Sequence, residues 1–238
     1  MYAEIASMSS AFTRVTYVLS PDQFDRLQHA KVLVFGLGGV GSFVVEALVR
    51  SGIGTIGLVD HDVVDITNLN RQLIATTATV GRRKTDVMRE RALAINPDLQ
   101  VETYPVFYPD SSIEIGRYDL VIDAIDSVDS KIALMAACEE AKVPLIMSLG
   151  TGKRLDPTQL IVTSLYQTSG DPLAKKVRSL AKKAGLEDVM VITSTELPLP
   201  SRQVRQPHEK VIVPSMIFVP ASAGLLIARQ AVKTLLEE

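Results

Sequence analysis

The fold of this 238-residue chain is decided by the stretch Val32-Leu33-Val34-Phe35-Gly36-Leu37-Gly38-Gly39-Val40-Gly41-Ser42. A short apolar strand runs into four glycines, and apolar residues then begin a helix. Gly36 permits a tight turn, Gly38 lets the backbone approach a phosphate oxygen, and Gly41 lets the helix lie close to the strand. Free N–H groups at the helix N-terminus add positive dipole character. The stretch predicts a nucleotide site cradled by Gly36, Gly38, Gly39 and Gly41, although dehydrogenases, flavoproteins and nucleotide-activating enzymes share the pattern.

Composition predicts one domain. With 47% apolar residues, the chain can bury one substantial α/β core. We expect an N-terminal helical arm (1–30), a nucleotide-binding core (31–150) and a C-terminal substrate or dimer part (151–238). The net charge of −2 argues against a protein that coats nucleic acid, but leaves room for a local basic patch.

The single cysteine, Cys138, lies in an apolar helical pattern, which predicts a buried residue rather than a nucleophile. One cysteine allows no disulfide within the chain and no paired-cysteine zinc site. The N-terminus shows no charged segment followed by an apolar core, so we expect a cytoplasmic protein. Prolines and charges interrupt the apolar stretch 211–236, which predicts a buried strand and helix rather than a membrane span.

Alternating strand and helix patterns predict a Rossmann-like, doubly wound, mostly parallel α/β sheet, which the C-terminal part extends. The predicted strands are 31–35, 55–59, 100–104, 119–124, 144–148, 159–165 and 189–194. The predicted helices are 12–30, with a break or start at Ser20-Pro21-Asp22, then 41–51, 83–95 and 131–141.

Polar residues after the second strand distinguish among nucleotide classes. Asp60 ends that strand, where a carboxylate accepts hydrogen bonds from a ribose diol in NAD and ATP enzymes alike. A polar loop and a lysine at the start of the next helix suit a triphosphate better than a nicotinamide. The candidate nucleotide-binding residues of this segment are Asp60, Asp62, Asn68, Asn70, Arg71, Gln72 and Lys84.

Asp123, Asp126 and Ser127 follow the fourth strand. Carboxylates at the carboxyl edge of a parallel sheet face the ligand crevice and suit Mg²⁺ beside phosphates. Taken singly, such an Asp is often a helix cap and a loop Arg is usually a solvated charge. Taken together with the glycine turn, these residues favour an ATP site.

These motifs resemble those of the E1-like adenylating enzymes, the group of ThiF, MoeB and HesA. The resemblance implies that Asp60 binds ribose, that Asn68, Arg71 and Lys84 bind phosphates, and that Asp126 binds Mg²⁺. It also implies a homodimer in which Arg14 reaches the partner's ATP site. Arg71, Lys84, Asp126 and Arg14 would then be the catalytic residues.

The C-terminal half resembles the tRNA threonylcarbamoyladenosine dehydratases within that group. The motifs that carry this resemblance are Asp156-Pro157-Thr158, Asp171-Pro172-Leu173-Ala174-Lys175-Lys176-Val177-Arg178, Ser194-Thr195-Glu196 and Phe218-Val219-Pro220-Ala221-Ser222-Ala223-Gly224. The resemblance implies ATP-dependent adenylation of the threonyl carboxylate beside the anticodon, followed by ring closure with loss of water. It makes tRNA the partner, and ATP and Mg²⁺ the cofactors.

Residues 171–210 contain eight basic and five acidic side chains. This excess suits contacts with a phosphate backbone, and it equally suits the solvated face of a helix. A histidine in the same segment, His208, is an ordinary loop residue or lies near the substrate.

Two other functions stay open. An E1-like adenylyltransferase for a ubiquitin-like sulfur carrier commonly has zinc-binding cysteine pairs, which this chain lacks. A non-catalytic nucleotide- or RNA-binding module would bind ATP or RNA without releasing AMP. A dehydrogenase is disfavoured because Arg71 and Lys84 would have no evident role.

Overall fold

A single mixed sheet of seven strands organises the computed structural model, which describes residues 11–200 and 213–237. The strands are β1 (Lys31–Phe35), β2 (Thr55–Val59), β3 (Gln100–Tyr104), β4 (Leu120–Asp123), β5 (Leu145–Ser148), β6 (Leu160–Ser164) and β7 (Met190–Ser194). Their order is β3-β2-β1-β4-β5-β7-β6. Every neighbouring pair is parallel except β6 with β7. The predicted doubly wound sheet and its C-terminal extension are therefore confirmed.

Helices cover both faces of the sheet. They are α1 (Thr13–Thr16), α2 (Pro21–His29), α3 (Gly41–Ser51), α4 (Lys84–Ile95), α5 (Val128–Ala141), α6 (Pro172–Ala184) and α7 (Phe218–Leu236). Ser20 and Gln23 form a capping box, so Ser20-Pro21 begins α2. The helix α5 begins three residues before the predicted bound because Ser127 caps it.

The C-terminal apolar stretch ends in α7, as predicted, but residues 213–217 form no strand. Residues 211 and 212 lie outside the described part of the chain. Among the described residues, no helix is both long and apolar enough to cross a membrane.

The central strands β1, β2, β4 and β5 are mainly apolar because both faces of the sheet are buried there, whereas the edge strands β3 and β6 are partly exposed. Val32 and Val34 pack in a core with α3, α4 and α7, whereas Leu33 and Phe35 pack in a core with α5 and α6. Cys138 lies in the second core, where burial raises the pKa of its thiol to about 12. Its prediction as a buried structural residue is confirmed.

The last helix packs on the helix that follows the glycine turn. A Cβ at Gly224 of α7 would lie 2.5 Å from the Val40 carbonyl oxygen and 2.8 Å from the Phe43 Cβ. Only glycine permits this close approach, so the C-terminal helix is fitted directly against the start of α3.

The strand order fixes where a ligand can bind. From β1 the sheet grows through β2 and β3 on one side, and through β4 and β5 on the other. The crevice at the carboxyl ends of β1 and β4 is therefore a topological switch point, the preferred ligand site of open α/β sheets.

Candidate nucleotide and substrate cavity

A cavity of about 610 Å³ opens at the carboxyl ends of β2, β1, β4 and β5. It is lined by residues from both halves of the chain. The predicted site residues that line it are Gly36, Gly38, Gly39, Asp60, Asp62, Asn68, Arg71, Gln72, Lys84 and Asp126. Gly41, Asn70, Asp123, Ser127 and Arg14 do not line it.

Two glycines of the turn are required by the backbone. Gly36 has a φ of +86°, and a Cβ there would lie 2.6 Å from the Ala124 carbonyl oxygen. A Cβ at Gly41 would lie 1.7 Å from the Gly36 carbonyl oxygen, so Gly41 allows close packing rather than ligand contact. At Gly38 the nearest atom to an added Cβ is the Gln72 Nε2, at 3.7 Å. The backbone at Gly38 is therefore open to the cavity.

Asp60 ties the end of β2 to the glycine turn. Its Oδ2 accepts a hydrogen bond of 2.7 Å from the Leu37 backbone N–H, and its Oδ1 accepts one of 2.8 Å from Asp62. The Lys84 ammonium lies 2.7 Å from the Asp62 Oδ2 and 3.8 Å from the Asp60 Oδ2. Lys84 is only 5% exposed, so this cation is held close to the cavity by two carboxylates.

His61 lies between these aspartates in the sequence, and its Nε2 is 3.2 Å from the Asp62 Oδ1. Its ring contacts Phe107, another residue of the cavity wall. Ligand atoms of Asp60, His61 and Asp62 lie within 4.8 Å of one another. The Lys84 ammonium lies beside both carboxylates and offsets part of their charge, so this group is less suited to a divalent cation than an unpaired carboxylate.

The loop from Asn68 to Gln72 presents an arginine whose partners are neutral. Arg71 donates to the Thr67 carbonyl oxygen at 3.0 Å and to the Asn70 Oδ1 at 2.9 Å. The Asn70 Nδ2 donates to the Ser215 carbonyl oxygen at 2.8 Å. Asn70 was predicted to bind the nucleotide, but in the structure it orients Arg71 and tethers the loop to the C-terminal half.

Two side chains of this loop are nearly buried in the cavity wall. The Asn68 Oδ1 accepts a hydrogen bond from the Asp65 N–H, which fixes the start of the loop. The Gln72 Oε1 is buried without a hydrogen-bond partner among the described residues. Buried polar atoms are normally paired, so Gln72 is suited to a ligand donor in the cavity.

The prediction that Asp123 faces the ligand is wrong in this structure. Asp123 is completely buried, and its Oδ1 accepts hydrogen bonds from the Lys131 Nζ at 3.0 Å and the Ile125 N–H at 2.9 Å. Lys131 also donates to the Ser148 carbonyl oxygen at 2.9 Å. Burial raises the pKa of the Asp123 carboxyl, against the opposing attraction of Lys131.

Asp126 is the exposed carboxylate of this segment and lines the cavity. Ser127 was predicted to bind the nucleotide, but its hydroxyl instead caps α5 by accepting a hydrogen bond from the Ser130 N–H. Sequence reasoning overlooked Lys131, because a lysine within a helix is ordinarily solvated.

Arg14 is exposed on α1 and does not line the cavity of its own chain. Two residues before Arg14, Phe12 packs against Phe24 of α2 with ring centroids 5.8 Å apart. This contact anchors the short α1 on α2.

Much of the cavity wall comes from the C-terminal half, which was predicted to be a substrate or dimer part without any individual site residue being named. These residues include Gly150, Thr151, Gly152, Lys153, Arg154, Asp171, Leu173, Pro198, Val213 and Ser215. The Arg154 guanidinium donates to the Asp171 Oδ2 at 2.8 Å, and both side chains are almost fully buried. The Asp171 Oδ1 caps α6 through the Ala174 N–H. An Asp-Pro pair at the start of a helical pattern was the available signal for this cap.

The basic segment is only partly described. Lys175, Lys176, Lys182 and Lys183 are exposed on α6. Arg178 donates to the Thr168 hydroxyl at 2.7 Å. The remaining basic residues and His208 lie outside the described part of the chain.

A comparison with protein families matches residues 13–238 to the ThiF family. The tRNA threonylcarbamoyladenosine dehydratase of Bacillus subtilis is 40% identical over 97% of this chain and 96% of its own length. A crystal structure of the Escherichia coli tRNA N6-threonylcarbamoyladenosine dehydratase, TcdA, with AMP has a TM-score of 0.86 and 35% identity, covering 97% of each chain. The ATP complex of that enzyme has a TM-score of 0.84 and 36% identity, covering 94% of this chain and 93% of that one.

Proposed function

The chain belongs to the ThiF family, and we propose that it is an ATP-dependent dehydratase of N6-threonylcarbamoyladenosine in tRNA, acting next to the anticodon. One observation carries this proposal: the glycine turn and the C-terminal half line the same cavity. ATP and a second substrate can therefore meet there. The similarity to named tRNA threonylcarbamoyladenosine dehydratases over nearly the full chain supports modified tRNA as that second substrate.

Dehydration requires that a carboxylate oxygen become a good leaving group. The threonyl carboxylate attacks the α-phosphorus of ATP, so that an acyl-adenylate forms and pyrophosphate leaves. A nucleophilic atom within the modification then attacks the activated carbonyl carbon, loses its proton and expels AMP. The ring closes, and the elements of one water are lost from the nucleoside while ATP becomes AMP and pyrophosphate.

Such chemistry depends on positioning and charge neutralisation more than on a protein nucleophile. Lys84 and Arg71 supply positive charge beside Gly38 and Gly39, whose backbone is suited to phosphates. Asp60 is suited to ribose hydroxyls, because each carboxylate oxygen retains a free lone pair after accepting its backbone N–H. Asn68 and Gln72 complete the polar wall.

Mg²⁺ fits this site through Asp126. Its carboxylate is a hard oxygen ligand, it is exposed in the cavity, and no cation of the described residues pairs with it. A bound Mg²⁺ would neutralise phosphate charge and orient the leaving group. We further propose a homodimer in which Arg14 reaches the partner's cavity, which agrees with its exposure on α1 outside its own site.

The test is to incubate the purified protein with ATP, Mg²⁺ and tRNA that carries threonylcarbamoyladenosine, and then to measure the mass of the released nucleosides. Loss of one water together with AMP release supports the proposal. The matched control is the same tRNA with unmodified adenosine, which must yield no AMP above background. An unchanged modified nucleoside would refute the dehydratase, and ATP–pyrophosphate exchange with sulfur carrier proteins would then test the adenylyltransferase alternative.

A further inference from the structure

The cavity extends well beyond the glycine turn. Asp60 follows β2 and the loop 149–154 follows β5, and both line the cavity. The order β2-β1-β4-β5 separates them by three steps between neighbouring strands. At the usual spacing of strands, this is about 14 Å. A nucleotide held at the β2 and β1 ends therefore leaves the β5 end for the second substrate.

Lys153 is fixed at that end in an unusual backbone conformation. Its φ is +59°, in the left-handed region that residues other than glycine rarely adopt. Its N–H donates to the Pro214 carbonyl oxygen at 2.8 Å, and its own carbonyl oxygen accepts from the Leu199 N–H at 2.8 Å. Backbone strain that the surroundings maintain in this way is concentrated at ligand sites.

Among the residues that the structure describes, none neutralises the charge of Lys153. Two other cations of the cavity are paired, Lys84 with Asp62 and Arg154 with Asp171. Within residues 11–200 and 213–237, by contrast, no ion pair joins Lys153 to a carboxylate. An unneutralised cation at the substrate end of a cavity is suited to an anionic group of the substrate.

We infer that Lys153 binds the threonyl carboxylate of the modified adenosine. This inference rests on the proposed function. The carboxylate and the ATP phosphates are both negative, so they repel each other as they approach. An ammonium that contacts the carboxylate reduces this repulsion and orients the oxygen that attacks the α-phosphorus. Lys153 is thus a substrate-binding residue distinct from the cations at the glycine turn.

Binding without ATP tests the inference apart from turnover. Fluorescence anisotropy would compare three labelled anticodon stem-loops, carrying threonylcarbamoyladenosine, its methyl ester or unmodified adenosine. Wild-type protein should bind the free carboxylate roughly tenfold more tightly than the ester, because a hydrogen bond to a charged group contributes that much or more. Lys153→Met should bind the acid and the ester equally, and Lys153→Arg should keep the preference.

Lys142 provides a matched control. It also has a left-handed φ, 56°, but it is exposed at the C-terminal end of α5 and does not line the cavity. Lys142→Met should therefore bind like the wild type. Circular dichroism and urea unfolding would verify that each variant is folded.

Three outcomes would overturn the inference. In the first, Lys153→Met keeps the full preference for the acid over the ester. In the second, Lys153→Met binds all three stem-loops equally more weakly, as expected for a contact with backbone phosphate. In the third, the wild-type protein binds the acid and the ester with the same affinity. A separate turnover assay of the wild type on modified tRNA shows whether the proposed function itself has failed.

Discussion

The Lys131 ammonium lies 3.0 Å from the Asp123 Oδ1, and both side chains are completely buried. The pair joins two segments of the cavity wall, because Asp123 accepts from the Ile125 N–H and Lys131 donates to the Ser148 carbonyl oxygen. Ile125 and Ser148 both line the cavity. This ion pair therefore links the loop after β4 to the end of β5, two neighbouring segments of the cavity wall.

Lys131→Met should lower the free energy of unfolding by about 3 kcal/mol or more, because it leaves a carboxylate buried without its partner. The double variant Lys131→Met, Asp123→Asn should recover most of this loss, since the Asn Oδ1 can still accept from Ile125. Urea unfolding of the wild type and both variants measures the difference. Equal stability of the single and double variants would contradict this account of the pair.

Arg71→Ala should reduce turnover about a hundredfold or more, as expected when a group that stabilises charge in the transition state is removed. Its hydrogen bonds to Thr67 and Asn70 are exposed. The free energy of unfolding should therefore change by about 1 kcal/mol at most. The readouts are AMP formation and urea unfolding. Arg89, exposed on α4 outside the cavity, gives the control variant Arg89→Ala. Near-normal AMP formation by Arg71→Ala would remove Arg71 from the proposed site.

Co-expression of two inactive chains tests whether Arg14 acts in the partner's site. Arg14→Ala and Arg71→Ala should each be inactive alone. In a mixture, each heterodimer contains one site with both arginines, so activity should return to about a quarter of the wild-type value. Differently tagged chains allow the heterodimer to be purified, and its AMP formation should then reach about half of the wild-type value, because one of its two sites is intact. Arg14→Ala with full activity would show that no partner arginine is needed.

Asp126→Asn should raise the Mg²⁺ concentration at half-maximal activity by roughly tenfold or more, because metal sites are sensitive even to changes around their ligands. Titration of Mg²⁺ at fixed ATP and tRNA measures the shift. Asp129, exposed in the first turn of α5 outside the cavity, supplies the control Asp129→Asn. A shift of the same size in both variants would indicate a general loss of negative charge rather than a lost ligand.

The pH dependence of stability tests a cluster of side chains, Glu102, Tyr104 and Tyr118, that do not line the cavity. Hydrogen bonds from the hydroxyl groups of Tyr104, which has the larger effect, and Tyr118 hold the pKa of Glu102 below its ordinary value. As the pH falls, Glu102 is therefore protonated in the unfolded chain before it is protonated in the folded chain. The stabilisation by the Glu102 carboxylate is present at neutral pH and is lost as the pH falls through the lowered pKa. Glu102→Gln should unfold with a weaker dependence on pH between about 5 and 3. Urea midpoints across this range measure the effect, and parallel curves for wild type and variant would contradict it.

The central strands could be predicted from the sequence because burial of both faces requires apolar residues, and such a run is visible in the local sequence. β1, β2, β4 and β5 are buried on both faces, so each appears as a mainly apolar run between turns, whereas β3 at the edge of the sheet is half-exposed and more polar. The glycine turn could also be predicted from the sequence, because the φ of +86° at Gly36 strongly favours glycine at that position. Asp123 was misjudged because the pleat decides which face its side chain meets, and a lysine eight residues later in α5 satisfies it.

The second wall of the cavity could not be predicted in this way. The loop at Lys153 is held by Pro214 and Leu199, which are distant in the sequence, and no local pattern encodes those hydrogen bonds. Asn70 is a similar case, since its partner is the carbonyl group of Ser215. Sequence motifs predicted the nucleotide end of the cavity, whereas the proposed substrate end depends on how the two halves of the chain pack together.

The close packing of Gly224 against Val40 has a consequence for biosynthesis. The glycine turn is synthesised early, but the helix that packs directly on it, α7, is the last element of the described chain. While the ribosome still holds residues 218–236, the start of α3 lacks this neighbour and its apolar side chains stay accessible to water. A nascent chain therefore acquires the α7 side of this cavity, which includes Pro220, only after α7 has left the ribosomal exit tunnel.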